Sequence, residues 1–151
     1  MIIGANHKNQ LVPLIQEMVN QHTHKDTVSD IVQFNDFEAM PIHYFESKHR
    51  AFLKVEDGCN QFCSYCAIPF ARGRERSLQY DQVIRIAKSL VEQGHSEIVL
   101  TGIHTGRYHD GDKTLADLLA GLLENTPEHV YYRISSCLLY TSPSPRDYAA
   151  S

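Results

Sequence analysis

The chain has 151 residues, long enough for one ordinary domain with a buried core, and 42% hydrophobic content with a mean hydropathy of -0.33 describes a water-soluble protein. Fourteen Lys and Arg against eighteen Asp and Glu leave a formal charge of -4, which excludes a broadly basic nucleic-acid surface but allows a local patch such as "RGRER" or binding through another domain. No apolar run approaches the ~18 residues of a membrane span, and "MIIGANHKNQ" lacks the charged start and apolar stretch of a secretory leader, so no membrane partner is expected and the default compartment is cytoplasmic.

Residues 9–21, "NQLVPLIQEMVNQ", set Leu11, Ile15 and Met18 on one side with Leu14 and Val19 close by, a helical spacing. Pro13 fits if that helix begins near Asn9, because a deeper proline would remove a ladder hydrogen bond. "HTHKD" is a polar connector, "SDIVQF" (29–34) a short strand candidate, and residues 35–49 an irregular, polar linker.

The pattern sharpens from Arg50. "AFLKV" (51–55) alternates as a strand does. Residues 78–93 carry Val83, Ile86, Ala87, Leu90 and Val91 on one helical stripe, with Ser77 as N-cap and Gly94 as stop. "EIVLTGI" (97–103) is a continuous apolar run that suits a strand covered on both faces. Thr114 opens a second helix with Asp117 as its capping-box partner, and Leu115, Leu118, Leu119, Leu122 and Leu123 form its buried stripe. "VYYRI" (130–134) is a third strand. Strand–helix–strand–helix–strand implies a parallel sheet with right-handed crossovers and a site at the carboxyl ends of the strands. The cysteine segment leaves the first strand and "TGIHTGRYHDG" the second, so both reach one rim. The Ser/Pro-rich tail "LLYTSPSPRDYAAS" lacks periodicity and reads as disordered or foreign to the domain.

Three of the four cysteines fall within eight residues, Cys59, Cys63 and Cys66 in "CNQFCSYC". In a reducing compartment such a group reads as a metal or cluster site rather than a disulfide framework. A [4Fe–4S] cube takes one ligand per iron, normally four thiolates, so three cysteines leave one iron open to an amino-carboxylate. Zinc is the rival: a structural site wants four closed ligands, and His49, His104 or His109 are the available histidines. Buried or incidental thiols are the third possibility.

"CNQFCSYC" fits the radical S-adenosylmethionine signature C-x₃-C-x-aromatic-C, with Tyr65 as the aromatic, and "VEDGCNQFCSYCAIPFARGRERS" resembles the methylthiotransferase family. "EIVLTGIHTGRYHDG" is similar to the branch that methylthiolates N6-threonylcarbamoyladenosine beside the tRNA anticodon, more than to the isopentenyladenosine or ribosomal-protein branches. "GANHKNQLVPLIQEMV" resembles the end of the preceding family domain, and the likeness covers residues 3–136. It implies an α/β fold: the first part of a partial TIM-type (β/α) radical-SAM barrel over 50–136, preceded by the C-terminal remnant of an N-terminal α/β domain over 1–34 and a linker over 35–49. It also implies that Cys59, Cys63 and Cys66 ligate a [4Fe–4S] cluster, that S-adenosylmethionine chelates the fourth iron, and that one electron cleaves it to a 5′-deoxyadenosyl radical. The backbone around Tyr65 would meet the adenine, Thr101 and Gly102 the methionine amino end, and Ser135 and Ser136 are weaker candidates for polar contacts. No catalytic residue is assigned.

Each of these residues also has an ordinary structural explanation. Thr101-Gly102 is also an ordinary strand exit, and His104 and His109 sit in a turn-rich loop. Arg72, Arg74 and Arg76 suit phosphate on substrate or tRNA, or simply form a solvated charged segment. The family's second [4Fe–4S] cluster, its sulfur-delivery site, has no cysteines in residues 1–50. The rest of the barrel and a β-rich tRNA-binding domain are also expected to be missing, and Met1 to be an internal start. The 137–151 tail resembles translated adapter sequence, which would leave Cys137 without a role. The expectation is an inactive or crippled fragment whose parent uses tRNA and a reductant such as flavodoxin or ferredoxin.

Overall fold

The computed structural model describes residues 2–4, 7–22, 24, 26–34, 36–39 and 50–137; His49, most of the expected linker and residues 138–151 of the tail lie outside them. β1 (Ile2–Ile3) and β2 (Asp26–Thr27) pair in parallel and are joined through α1 (Leu11–Gln21). Pro13 falls in the first turn of α1, where its missing N–H costs no ladder bond. The apolar stripe of α1 is not buried: Leu11, Ile15 and Val19 are all exposed. The strand expected at 29–34 is instead a 3₁₀ turn, Ile31–Gln33, in which the Asp30 carbonyl accepts from the Gln33 N–H at 3.3 Å. Tertiary contact overrides the β-branched pair, because this turn packs against the segment that follows the cysteines.

That segment belongs to the larger part of the fold. β3 (Arg50–Lys54) leads through Val55 into β4 (Glu56–Asp57), the cysteine loop, α2 (Ile68–Arg72) and β5 (Arg76–Ser77). Then come α3 (Tyr80–Glu92), β6 (Glu97–Thr101), the hairpin β7 (His109–Asp110) and β8 (Lys113–Thr114), α4 (Leu115–Asn125) and β9 (Tyr131–Ile134). β3, β6 and β9 make one parallel sheet with β6 in the centre, in the register Arg50 to Glu97 and Glu97 to Tyr131. This is a mixed α/β architecture with a parallel sheet, as the alternation predicts.

Alternate strand residues Ala51, Leu53, Val55, Ile98 and Leu100 join Val83, Ile84, Ala87 and Leu90 of α3 and Leu118 and Leu122 of α4 in one core. Each fully buried Leu or Ile contributes about 1.5–3 kcal/mol relative to exposure. Both helices thus pack on a single face of the sheet. On the opposite face Val99 is also buried, and Glu97 forms ion pairs with Arg50 at 3.0 Å and Arg133 at 2.8 Å, a charge ladder across all three strands. Leu123, expected in the α4 stripe, is 64% exposed; the buried face instead runs through Leu118 and Leu122 to Gly121, whose bare backbone receives the Tyr80 ring.

The two helix starts differ. Thr114 caps α4 as predicted, its hydroxyl accepting from the Asp117 N–H while the Asp117 carboxylate accepts from the Thr114 N–H at 2.8 Å. Ser77 does not cap α3. It ends β5, and the Leu78 N–H is spent on the Val55 carbonyl at 2.9 Å, so the helix begins later. The Tyr80 N–H is satisfied by the carboxylate of Asp110 in the β7–β8 hairpin, at 2.7 Å.

Candidate cysteine-lined site

Two charges close the neck of the cysteine loop. Asp57, almost fully buried, accepts from Arg76 Nη2 at 2.9 Å, Lys54 Nζ at 2.6 Å and the Gly58 N–H at 3.0 Å. Burial alone would push its carboxyl up; the Lys54 and Arg76 cations outweigh that and hold it below the usual range. Arg76 Nη1 also donates to the carbonyls of Arg72 at 2.8 Å and Arg74 at 3.0 Å. Arg76 is therefore neither a phosphate contact nor part of a solvated segment, because its guanidinium is buried and committed to holding the loop. Gly58 crosses beneath this clasp at φ 80°, where a side chain would strike the Arg74 carbonyl. The Cys59 N–H then donates to the Gly73 carbonyl at 3.1 Å.

Beyond Cys59 the chain turns through Phe62, at φ 46°, a left-handed conformation uncommon for a bulky residue. The Phe62 ring meets Phe70 of α2 edge-on at 5.9 Å. A turn brings the Cys66 N–H to the Cys63 carbonyl at 2.9 Å. Cys59, Cys63 and Cys66 line one cavity of about 170 Å³ with Tyr65, Pro69 and Ile103, the last from the loop after β6. Cys59 is buried, the other two are half-buried, and all three are free thiols. Among the described residues, no three His, Cys, Asp or Glu side chains are gathered tightly enough to hold a single metal ion. The thiols instead stand along the wall of a cavity, an arrangement that fits a body larger than one ion. Cys137 is exposed and takes no part in the cavity.

Of the other sequence candidates, Tyr65 lines this cavity, whereas Thr101, Gly102, Ser135, Ser136, His104 and His109 are not among its lining residues. Tyr65, although it lines the cavity, is 91% exposed. The Thr101 carbonyl accepts from the Val55 N–H at 2.9 Å, extending the β3–β6 ladder. Gly102 lies against Glu56: a Cβ there would stand 2.7 Å from Glu56 Oε2. Ser135 and Ser136 offer their carbonyls to Thr105, to its hydroxyl at 2.8 Å and its N–H at 3.2 Å. His109 is exposed, whereas His104 is buried with both ring nitrogens unpartnered among the described residues, and burial with nearby Arg107 pushes its pKa down. Arg107 pairs with Glu75 at 3.2 Å beside a second cavity of about 340 Å³ that also touches Tyr108 and His109.

Glu56 is the residue that sequence reasoning missed. Fully buried, its Oε2 accepts from the N–H groups of both Ile103 and His104 at 2.7 Å. Burial pushes its carboxyl up, partly offset by these two N–H donors. The available signal was an acidic pair, "ED", directly after an alternating strand and before the loop.

The profile of the Radical SAM superfamily matches residues 53–146, beginning in β3 and running past the expected boundary at 136. A threonylcarbamoyladenosine tRNA methylthiotransferase MtaB from Chlamydia pneumoniae is 45% identical over 100 residues, 66% of this chain and 24% of that protein. The Bacillus subtilis protein of the same name is 36% identical over 138 residues, 90% of this chain and 31% of its own length. A ribosomal protein uS12 methylthiotransferase RimO from Dictyoglomus thermophilum is 35% identical over 147 residues, 95% of this chain and 32% of its own length. The chain thus spans a quarter to a third of the relatives it matches. No helix among the described residues is long and apolar enough to cross a membrane. With the family profile covering most of its length and three free thiols on one cavity at the end of a parallel strand, the chain belongs to the radical SAM superfamily.

Proposed function

We propose that this chain is the central part of a tRNA methylthiotransferase acting on N6-threonylcarbamoyladenosine. The observation that carries the reading is the convergence of Cys59, Cys63 and Cys66 with Ile103 on one cavity, in a chain 45% identical to an enzyme of that name. The three thiols would hold a [4Fe–4S] cluster, with its remaining iron left to S-adenosylmethionine. When bound, these groups supply one-electron cleavage of the cofactor to a carbon radical. The chain's own task is to hold the ligands, exclude water and orient the cofactor. The backbone near Tyr65 and the Thr101–Gly102 exit would do the orienting.

Residues 50–136 are read as the opening of a (β/α) barrel, which one-sided helix cover supports, since a doubly wound sheet would carry helices on both faces. Residues 1–34 are read as the end of a preceding α/β domain, supported by the β1–α1–β2 parallel unit. tRNA, a flavodoxin- or ferredoxin-like reductant and a second cluster for sulfur delivery belong to the longer protein, working in the cytoplasm. A second reading is modification of a ribosomal protein, favoured by the 35% identity to the RimO protein over nearly the whole chain.

The test is anaerobic reconstitution of the chain with iron and sulfide, followed by electron paramagnetic resonance with and without S-adenosylmethionine. A signal that changes on adding the cofactor supports the reading. Stoichiometric zinc uptake with no cluster would overturn it in favour of a binding module. Offering the full-length protein tRNA or ribosomal protein uS12, with mass spectrometry of each, separates the two substrates.

A further inference from the structure

The three strand exits are laced together by hydrogen bonds, and Glu56 is the central knot. From the end of β3 its carboxylate holds the N–H groups of Ile103 and His104, each at 2.7 Å, in the loop that follows β6. The same oxygen fills the space left by the missing side chain of Gly102. One residue beyond His104, Thr105 grips the Ser135 and Ser136 carbonyls after β9. Ile103 is the member of this loop that lines the cysteine cavity. A buried acidic side chain is costly in a core, and an apolar residue at position 56 would fill the same volume at less cost. What an apolar residue cannot do is accept two adjacent backbone N–H groups and so fix the height of Ile103 above the thiols.

Resting on the radical SAM reading, we infer that Glu56 is a positioning residue. Its carboxylate sets the Gly102–His104 loop as the far wall of the cofactor cavity, so that S-adenosylmethionine meets a preformed surface. It acts through that backbone and lies outside the cavity lining.

The test compares the wild-type chain with Glu56→Gln, which keeps an acceptor oxygen, and Glu56→Met, which keeps the volume and loses it. Amide hydrogen exchange on the cluster-free chain reads the positioning directly. The Ile103 and His104 amides should be protected in the wild type and in Glu56→Gln, and should exchange about tenfold faster or more in Glu56→Met, with β6 unchanged. In the reconstituted chain, iron content should be equal in all three. The cofactor concentration needed to shift the paramagnetic signal should rise about tenfold in Glu56→Met and stay near wild type in Glu56→Gln. Fast exchange of both amides in the wild type overturns the inference whether or not the variants fold. So does a Glu56→Met chain that responds to the cofactor as the wild type does. If the wild type builds no cofactor-responsive cluster, the functional reading fails, and the amide pattern still decides whether Glu56 sets the loop.

Discussion

Arg76→Met isolates the clasp at the neck of the cysteine loop. The substitution keeps an unbranched stem but removes a guanidinium that is 7% exposed and donates to Asp57, Arg72 and Arg74. Asp57 keeps Lys54, whose side chain is 40% exposed, and the Gly58 N–H. Removing one member of a buried ion pair costs about 3–5 kcal/mol. The remaining Lys54 contact, and water reaching the exposed Arg74, place the expected loss at about 3 kcal/mol, near the low end of that range. Against a total of roughly 5–15 kcal/mol this is a large fraction. Arg107→Met is the internal control: it breaks a pair whose arginine side chain is 51% exposed, worth about 0–1 kcal/mol. Urea unfolding followed by far-ultraviolet circular dichroism measures both. The double variant Asp57→Leu/Arg76→Met should lose less than the sum of the two single changes, because an apolar pair leaves no stranded charge. If Arg76→Met costs no more than Arg107→Met, or the two clasp changes simply add, the clasp does not hold the loop and the reasoning fails.

Changing Cys59, Cys63 or Cys66 singly to Ala should abolish iron uptake on reconstitution, while Cys137→Ala should leave it intact; a full iron complement in any of the first three sinks the ligand assignment. Leu122→Ala should destabilise by about 2–5 kcal/mol through a core cavity, and Leu123→Ala by less than about 0.5, read from denaturant midpoints. The capping box makes α4 acid-sensitive. The Thr114 N–H and hydroxyl hold the Asp117 carboxyl below its ordinary value, so the cap's contribution is fully present above the unfolded-state value of about 3.9 and fades as pH falls through the lower folded value. Thermal unfolding from pH 6 down to 2 should show this loss in the wild type and a flatter profile in Asp117→Asn; parallel profiles would refute it.

The elements most legible in the sequence were those whose pattern is local. The Thr114–Asp117 box, the α3 stripe and the apolar run of β6 each state their period or cap within a few residues; the box stands as read, while α3 also buries Ile84 and β6 ends at Thr101. Three of the misreadings share one cause, a partner distant in sequence. Ser77 loses its capping role because Leu78 is claimed by Val55 across the neck and Tyr80 by Asp110 across the rim. Ile31–Gln33 abandons strand geometry against the back of the cysteine loop. Arg76 looks like one more surface cation until Asp57 is seen to bury it. The three cysteines stand out by spacing alone, and the structure sets them along one cavity. Glu56, which accepts from the backbone N–H groups of Ile103 and His104, carries no spacing signature and emerges only when the loop after β6 is folded over it.

The Asp110 carboxylate gives the rim an unusual mechanical property. It reaches Tyr80 from thirty residues away, so the hairpin acts as a latch on the first turn of α3. Lifting the hairpin strands a helical N–H, and fraying that turn deprives the hairpin of its anchor. The two segments should therefore open and close as one cooperative unit with a shared exchange rate, although the sequence sets them far apart. The helix lends the hairpin its stiffness and in return inherits that hairpin's lability. A molecule that quiets the hairpin by binding there would register as added protection at the start of α3.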